Sequence, residues 1–290
     1  MMTHHCRLPS TPSTPSTPST RSLARRFAGL LGCVAAPLVG LGCAAGGGNG
    51  PVVADLQSVA EYDLAREAFE QRKLRDSLDH VEKALKIDDE NADAAYLGAN
   101  IMLEFCRVDE RSSDCRFSEA EQYARKTLDL QPDHRDAKNL LGVVLIHQRR
   151  YDDAIAVLKP LANDILFGSP EKAWGNLGWA YLERGSSDEA IDSLRRAVAA
   201  QPLFCAGQYR LGLAYEKKGD LGAARDAFTK AIDTDRVECK RLQDAFDARA
   251  RVSDKQGLRE EARADLERCR DMASTTPVGQ RCAAQLERTQ

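Results

Sequence analysis

The chain has 290 residues, a formal net charge of −3 and 43% hydrophobic residues. Those values are ordinary for a globular protein, and the lack of a basic excess argues against a nucleic-acid partner, because counterion release needs clustered Lys and Arg. Nine cysteines are many for a reducing compartment and ordinary for an oxidising one.

Residues 9–20, "PSTPSTPSTPST", hold nothing apolar to bury and predict no packed structure. In "RSLARRFAGLLGCVAAPLVGLGC", Arg21, Arg25 and Arg26 form a positive start, and the sixteen residues from Phe27 to Gly42 carry no charge. At ~1.5 Å per residue this stretch is shorter than the ~20 residues a spanning helix needs. A cleaved signal peptide over 1–42 is therefore expected. Its end, "LVGLGC", resembles a bacterial lipobox, with Cys43 as the lipid acceptor; "LLGC" at Cys33 matches the order better but leaves too short an apolar region. Residues 43–54 begin with the lipidated Cys and "AAGGGNGP", a flexible tether. Ala44, where the sorting pattern for inner-membrane retention has Asp, implies the outer membrane, with the protein facing the periplasm. More than one acyl chain gives stable anchoring. Loss of 1–42 removes Arg7, Arg21, Arg25 and Arg26 and no acid, so the charge falls from −3 to −7.

Residues 55–290 are dominated by a repeat. "AWGNLGWAYLERGSSDEAIDSLRRAVAAQP" (173–202) places Trp174, Leu177, Gly178 and Tyr181 on one helix, and Ala190, Leu194 and Ala197 on a second that Pro202 ends. This is the tetratricopeptide pattern. It returns one period later with Leu211, Gly212, Tyr215, Ala224, Phe228 and Ala231. Small residues at Gly178, Ala190 and Ala197 let paired helices approach closely. Repeats are expected at about 58–90, 91–134, 135–170, 171–204, 205–238 and 243–276, with a cap at 277–290. Leu64, Phe69, Val81 and Ala84 mark the degenerate first copy. The fold expected is all-α: a right-handed α-solenoid of about six repeats whose last helix covers the open end.

The repeat at 91–134 carries about ten extra residues, which contain Cys106 and Cys115. A metal clip, a redox switch and a disulfide compete. Zinc wants four ligands and no second pair lies nearby. The acidic loop does little to stabilise a thiolate, so a structural disulfide is expected. Cys205, Cys239, Cys269 and Cys282 allow three pairings. Cys269 with Cys282 would pin the cap. Cys205 and Cys239, one repeat apart, read as starts of equivalent helices ~10 Å apart, too far for a disulfide unless the four extra residues before the sixth repeat give slack. That pairing stays open.

Repeats of this type work through the concave face of their first helices. The corresponding positions read Tyr62, Phe69, Met102, Val143, Ile146, Trp179, Leu182, Tyr209 and Leu213. They form a candidate apolar stripe for a protein segment, with about a third expected to be covered by neighbouring helices. A carboxylate clamp is only part-formed: Asn176 and Arg210 fit, while Asn139, Val143 and Ala206 do not. His80, His134 and His147 are scattered and no catalytic constellation emerges, so neither an enzyme, a cofactor, a metal site nor a small-molecule substrate is expected.

Together, the "LVGLGC" end, the repeat number and the insertion "CRVDERSSDC" make residues 43–290 similar to the type IV pilus biogenesis lipoproteins of the PilF, PilW and Tgl kind. That resemblance implies a pilotin, a lipid-anchored adaptor that brings secretin subunits to the outer membrane and helps them assemble. Two alternatives are an adaptor of another envelope machine, for outer-membrane protein assembly or cell-wall synthesis, and a cytoplasmic scaffold with reduced cysteines.

Overall fold

A computed structural model describes residues 51–108, 112–236, 239 and 242–288. The expected signal peptide, Cys43 and most of the tether lie outside the described residues. Among those residues there is no strand, and no helix is long and apolar enough to cross a membrane.

Thirteen helices follow one another in the described chain. They pair as α1 (Pro51–Glu70) with α2 (Leu74–Ile87), α3 (Ala92–Val108) with α4 (Phe117–Leu130), and α5 (Arg135–His147) with α6 (Tyr151–Ala162). Next come α7 (Pro170–Arg184) with α8 (Ser187–Ala200), α9 (Cys205–Lys218) with α10 (Leu221–Asp233), and α11 (Gln243–Lys255) with α12 (Arg259–Met272). A last helix, α13 (Pro277–Arg288), closes the stack. Each helix packs on its sequence neighbours, and the first helices of successive pairs also touch, as α5 does α7 and α7 does α9. The result is the all-α solenoid that the periodicity predicts.

Pairing follows from side-chain size. A Cβ added at Gly142, Gly178 or Gly212 would stand 2.4, 2.5 and 2.4 Å from the side chains of Leu158, Leu194 and Phe228. Only a hydrogen lets those large residues close the gap between the paired helices. The turn within a pair needs one left-handed residue. Gly185 (φ 95°) supplies it after α7, where its N–H and that of Ser186 donate to Leu182 and Tyr181 carbonyls. Arg72 and Arg149, with φ of 61° and 62°, fill the same turn in the first and third pairs. Between α7 and α9 the ring of Phe204 fills the gap: a Cβ at Gly175 or Gly207 would lie 2.7 or 2.5 Å from it.

Three disulfides join Cys106 to Cys115, Cys205 to Cys239 and Cys269 to Cys282. The first ties the end of α3 to the inserted loop just before α4. The third ties α12 to α13, with Cα atoms 6.1 Å apart. The spacing argument against the second is overturned, because its two Cα atoms are 5.8 Å apart. The four extra residues delay the start of α11 to Gln243, so Cys239 sits in the loop before it rather than on an equivalent helix.

The first pair departs from expectation at one position. Leu64 is 47% exposed, while Ala65 and Ala68 face the core beside Val81 and Ala84. With no helix pair in front of α1 among the described residues, the adjacent face of the helix is left uncovered.

Candidate protein-binding groove

The first helices line the concave face, and the sequence-predicted stripe divides in two there. Met102, Ile146 and Leu182 are buried in the core. These three of the nine are the covered part of the expected stripe, and the reading of them as exposed contacts is corrected by their burial. Tyr62, Phe69, Val143, Trp179, Tyr209 and Leu213 are half-buried and keep some surface in the groove.

Two ladders cross the middle of this face and meet at Arg210. The polar one runs from α5 to α9: Asn176 Nδ2 donates to Asn139 Oδ1 at 3.0 Å, and Arg210 Nη1 donates to Asn176 Oδ1 at 3.3 Å. In the aromatic one, Phe117 stacks on His147 at 4.7 Å and His147 meets Trp179 edge-on at 5.1 Å. The Arg210 guanidinium then lies 4.3 Å above the Trp179 ring. Trp179 Nε1 donates to Glu183 Oε1 at 3.3 Å. Asn139 and Asn176 thus join Arg210 in an arrangement that sequence spacing alone left as an incomplete clamp.

Among the described residues no carboxylate lies within ion-pair distance of Arg210, although almost every other partly buried arginine of the array has one. Burial pushes its guanidinium down to about 10, partly offset by Tyr209 and Glu183. A half-buried cation with no ion-pair partner among the described residues, whose burial the Glu183 charge offsets only in part, attracts an anionic or strongly polar group. Next to it, burial and then the Asp244 charge push the Tyr209 phenol up to about 12, so the ring presents a neutral hydroxyl.

Beyond Leu213 the groove changes character. Arg251 Nε and Nη2 grip both oxygens of Glu216 at 2.9 and 2.8 Å, and Lys255 Nζ joins at 2.8 Å. Asp247 accepts from Arg281 and Gln285 of α13 at 3.3 and 3.2 Å. Burial raises the Glu216 carboxyl, but the Arg251 and Lys255 hydrogen bonds and charges outweigh it and hold the group below its usual range. A cavity of about 610 Å³ opens between α11, α12 and α13, where Arg259, Arg263 and Arg288 surround a floor of Ala262 and Leu266. Of these charged positions, Asp247, Arg251 and Lys255 escaped a search for apolar side chains; reading the same concave places in the sixth repeat (Asp244, Asp247, Arg251, Asp254, Lys255) would have found them.

The tetratricopeptide repeat family model matches residues 116–164 and 170–237. Over those residues the array matches the tetratricopeptide repeat, and the fold is a solenoid of such helix pairs. Its geometry is similar to the crystal structure of PilW, described as a type IV pilus biogenesis factor, with a TM-score of 0.64 and 22% identity over 77% of this chain and 96% of that one. It is also similar to pilF of Pseudomonas aeruginosa, with a TM-score of 0.62 and 17% identity over 80% of this chain and 99% of the other. The Cut9–Hcn1 complex gives 0.64 as well, at 15% identity, but only 43% of that chain is covered. At such identities the likeness concerns the fold. Among curated proteins, the tetratricopeptide chain is 24% identical to NPGR2 of Arabidopsis thaliana over 68% of its length and 29% of that protein. It is 38% identical to a TPR repeat-containing protein of Pseudomonas aeruginosa over 20% of its length and 55% of that one. The chain thus spans between about a quarter and just over half of the length of these curated relatives.

Proposed function

We propose that this tetratricopeptide array is an adaptor, anchored at Cys43 to the outer membrane and facing the periplasm, that holds a segment of another polypeptide in its groove. The partner is a subunit of a type IV pilus secretin, whose delivery and multimerisation the adaptor assists. Proteins built of these repeats are generally non-enzymatic scaffolds, and a groove with apolar side chains around Arg210, which has no ion-pair partner among the described residues, fits a peptide better than a small metabolite. The segment would lay apolar side chains on Val143, Trp179 and Leu213 and bring an acidic or carbonyl oxygen to Arg210.

The observation that carries this reading is the extent of the likeness. Both chains are covered in these matches, 96% and 99% of PilW and pilF with 77% and 80% of this chain, whereas Cut9 is matched over 43% of its own chain and MamA over 65% of this one. Two shared repeats would point to any scaffold; a match from end to end supports the same kind of adaptor. The "LVGLGC" signal end supports the anchor.

Deleting the protein tests the reading. Secretin is expected to stay monomeric on mild-detergent electrophoresis, and unchanged multimers would overturn it. Within the groove, Arg210→Gln and Val143→Asp are expected to abolish capture of secretin while leaving helicity and melting temperature near the parent values. Retained capture in both variants would remove the groove from the mechanism.

A further inference from the structure

Antiparallel pairing gives the solenoid two edges. One carries the turns within pairs, such as 71–73, 148–150 and 185–186. The other carries the loops between pairs, 88–91, 131–134, 163–169 and 201–204, together with the amino-terminal end of every first helix, α1 included. Among the described residues the large exposed apolar side chains are Leu56, Val59, Leu64, Ile87, Ile165, Leu166 and Leu203. None lies on a turn within a pair. Ile87, Ile165, Leu166 and Leu203 lie on the other edge, and Leu56 and Val59 stand on the start of α1, which is 20 residues long where the other first helices have 13 to 17.

The loop 163–169 is built to present two of them. Phe167 is buried and roots the loop in the core. Asp164 Oδ2 is held by Arg135 Nε at 2.6 Å, and its Oδ1 accepts the Leu166 N–H at 2.9 Å. Between these fixings Ile165 and Leu166 stand out at 96% and 70% exposure. An ordered turn that spends its apex on two adjacent aliphatic side chains is the shape of a contact, because single exposed residues are common and directed pairs are not.

The chain itself says what covers this edge. Seven residues separate Cys43 from Pro51, and the eight steps between them, at ~3.5 Å each, reach no more than ~28 Å. If the lipid sits on Cys43, as proposed above and on which this inference rests, the start of α1 cannot leave the bilayer surface by more than that. We propose that the edge of inter-pair loops faces the membrane and that Ile165 and Leu166 enter the headgroup–acyl boundary, about 5–10 Å deep. Asp88, Asp89, Glu90 and Asp133 share the edge, so contact with zwitterionic lipid is favoured over anionic lipid. The groove then opens parallel to the surface, within reach of a partner emerging from the same membrane.

The test uses the full chain, extracted from membranes and reconstituted in phosphatidylethanolamine–phosphatidylcholine vesicles with brominated acyl chains. The tryptophan introduced by Leu166→Trp is expected to shift to the blue and lose most of its added emission to the bromines. One introduced by Arg149→Trp, on the opposite edge, is expected to lose none. Mass analysis of the amino-terminal peptide reads the anchor separately. An acylated Cys43 with an unquenched Leu166→Trp variant would overturn the orientation and leave the anchor standing, as would a partner protein shielding that tryptophan from lipid. An unacylated Cys43 would remove both.

Discussion

The front and the back of the solenoid are held together differently. From Ala65 to Ala227 the buried apolar side chains form one continuous cluster, fed by Ile101, Met102, Leu145, Leu158, Leu177 and Leu194. Behind it the core breaks into three small groups, around Phe228 and Val252, around Cys205 and Ala245, and around Leu266 and Cys282. Two of the three disulfides fall in this back part. So do a buried Gln243, which donates to the Cys269 and Ala273 carbonyls at 2.6 and 3.0 Å, and the bidentate Arg249–Asp265 pair at 2.8 and 2.7 Å. A chain of stacked units cannot borrow core from distant repeats, so where apolar volume runs short the closure must come from covalent and directional bonds. The groove follows the same division, apolar in front and charged behind.

The widest separation between the two parts is expected from Leu158→Ala, which empties a fully buried site in the continuous cluster and should cost about 3–5 kcal/mol in urea unfolding. A loss near 1 kcal/mol would mean that the front is packed loosely too. Next in size is Cys269→Ala with Cys282→Ala. Opening this short loop should cost about 3 kcal/mol and raise hydrogen exchange in α13 and α12 while α5 to α8 stay protected. Uniform acceleration across all pairs would erase the distinction between front and back.

Acid sharpens the comparison further. Glu216 has its folded-state pKa held below the ordinary 4.5, so its contribution is complete above that value and is lost as pH falls through the lowered one. Exchange in α9 and α11 is therefore expected to rise below pH 4.5 before the buried aliphatic contacts of the front respond. Glu216→Gln should remove that early step. The smallest effect expected is at the turns: Arg149→Gly relieves a side chain held at positive φ and should raise stability by up to about 1 kcal/mol, read as a modest rise in melting temperature.

Most of the architecture was legible because a repeat shows its packing rule several times over. Gly178 with Leu194 and Gly212 with Phe228 state the same contact twice, and the small–large pairing has one physical solution. The disulfides at Cys106–Cys115 and Cys269–Cys282 followed from the loop and cap positions. What a single repeat cannot show is how one repeat sits on the next. Met102, Ile146 and Leu182 look like groove residues on an isolated helix and are covered only once the helices stack. Arg210 looked like half of a broken clamp until Asn139 and Asn176 lined up across three helices. Leu64 misled because the first helix has a face that no described helix covers.

The Phe204 ring, wedged between Gly175 and Gly207, separates α7 from α9 at residues one and three places along the chain from Asn176 and Arg210, which meet across the same two helices. The approach of α7 to α9 is thus limited by one aromatic ring. A slimmer residue there would let the two helices lean together and narrow the channel without altering any side chain that a ligand touches, so the bore of the groove can be retuned from behind its lining.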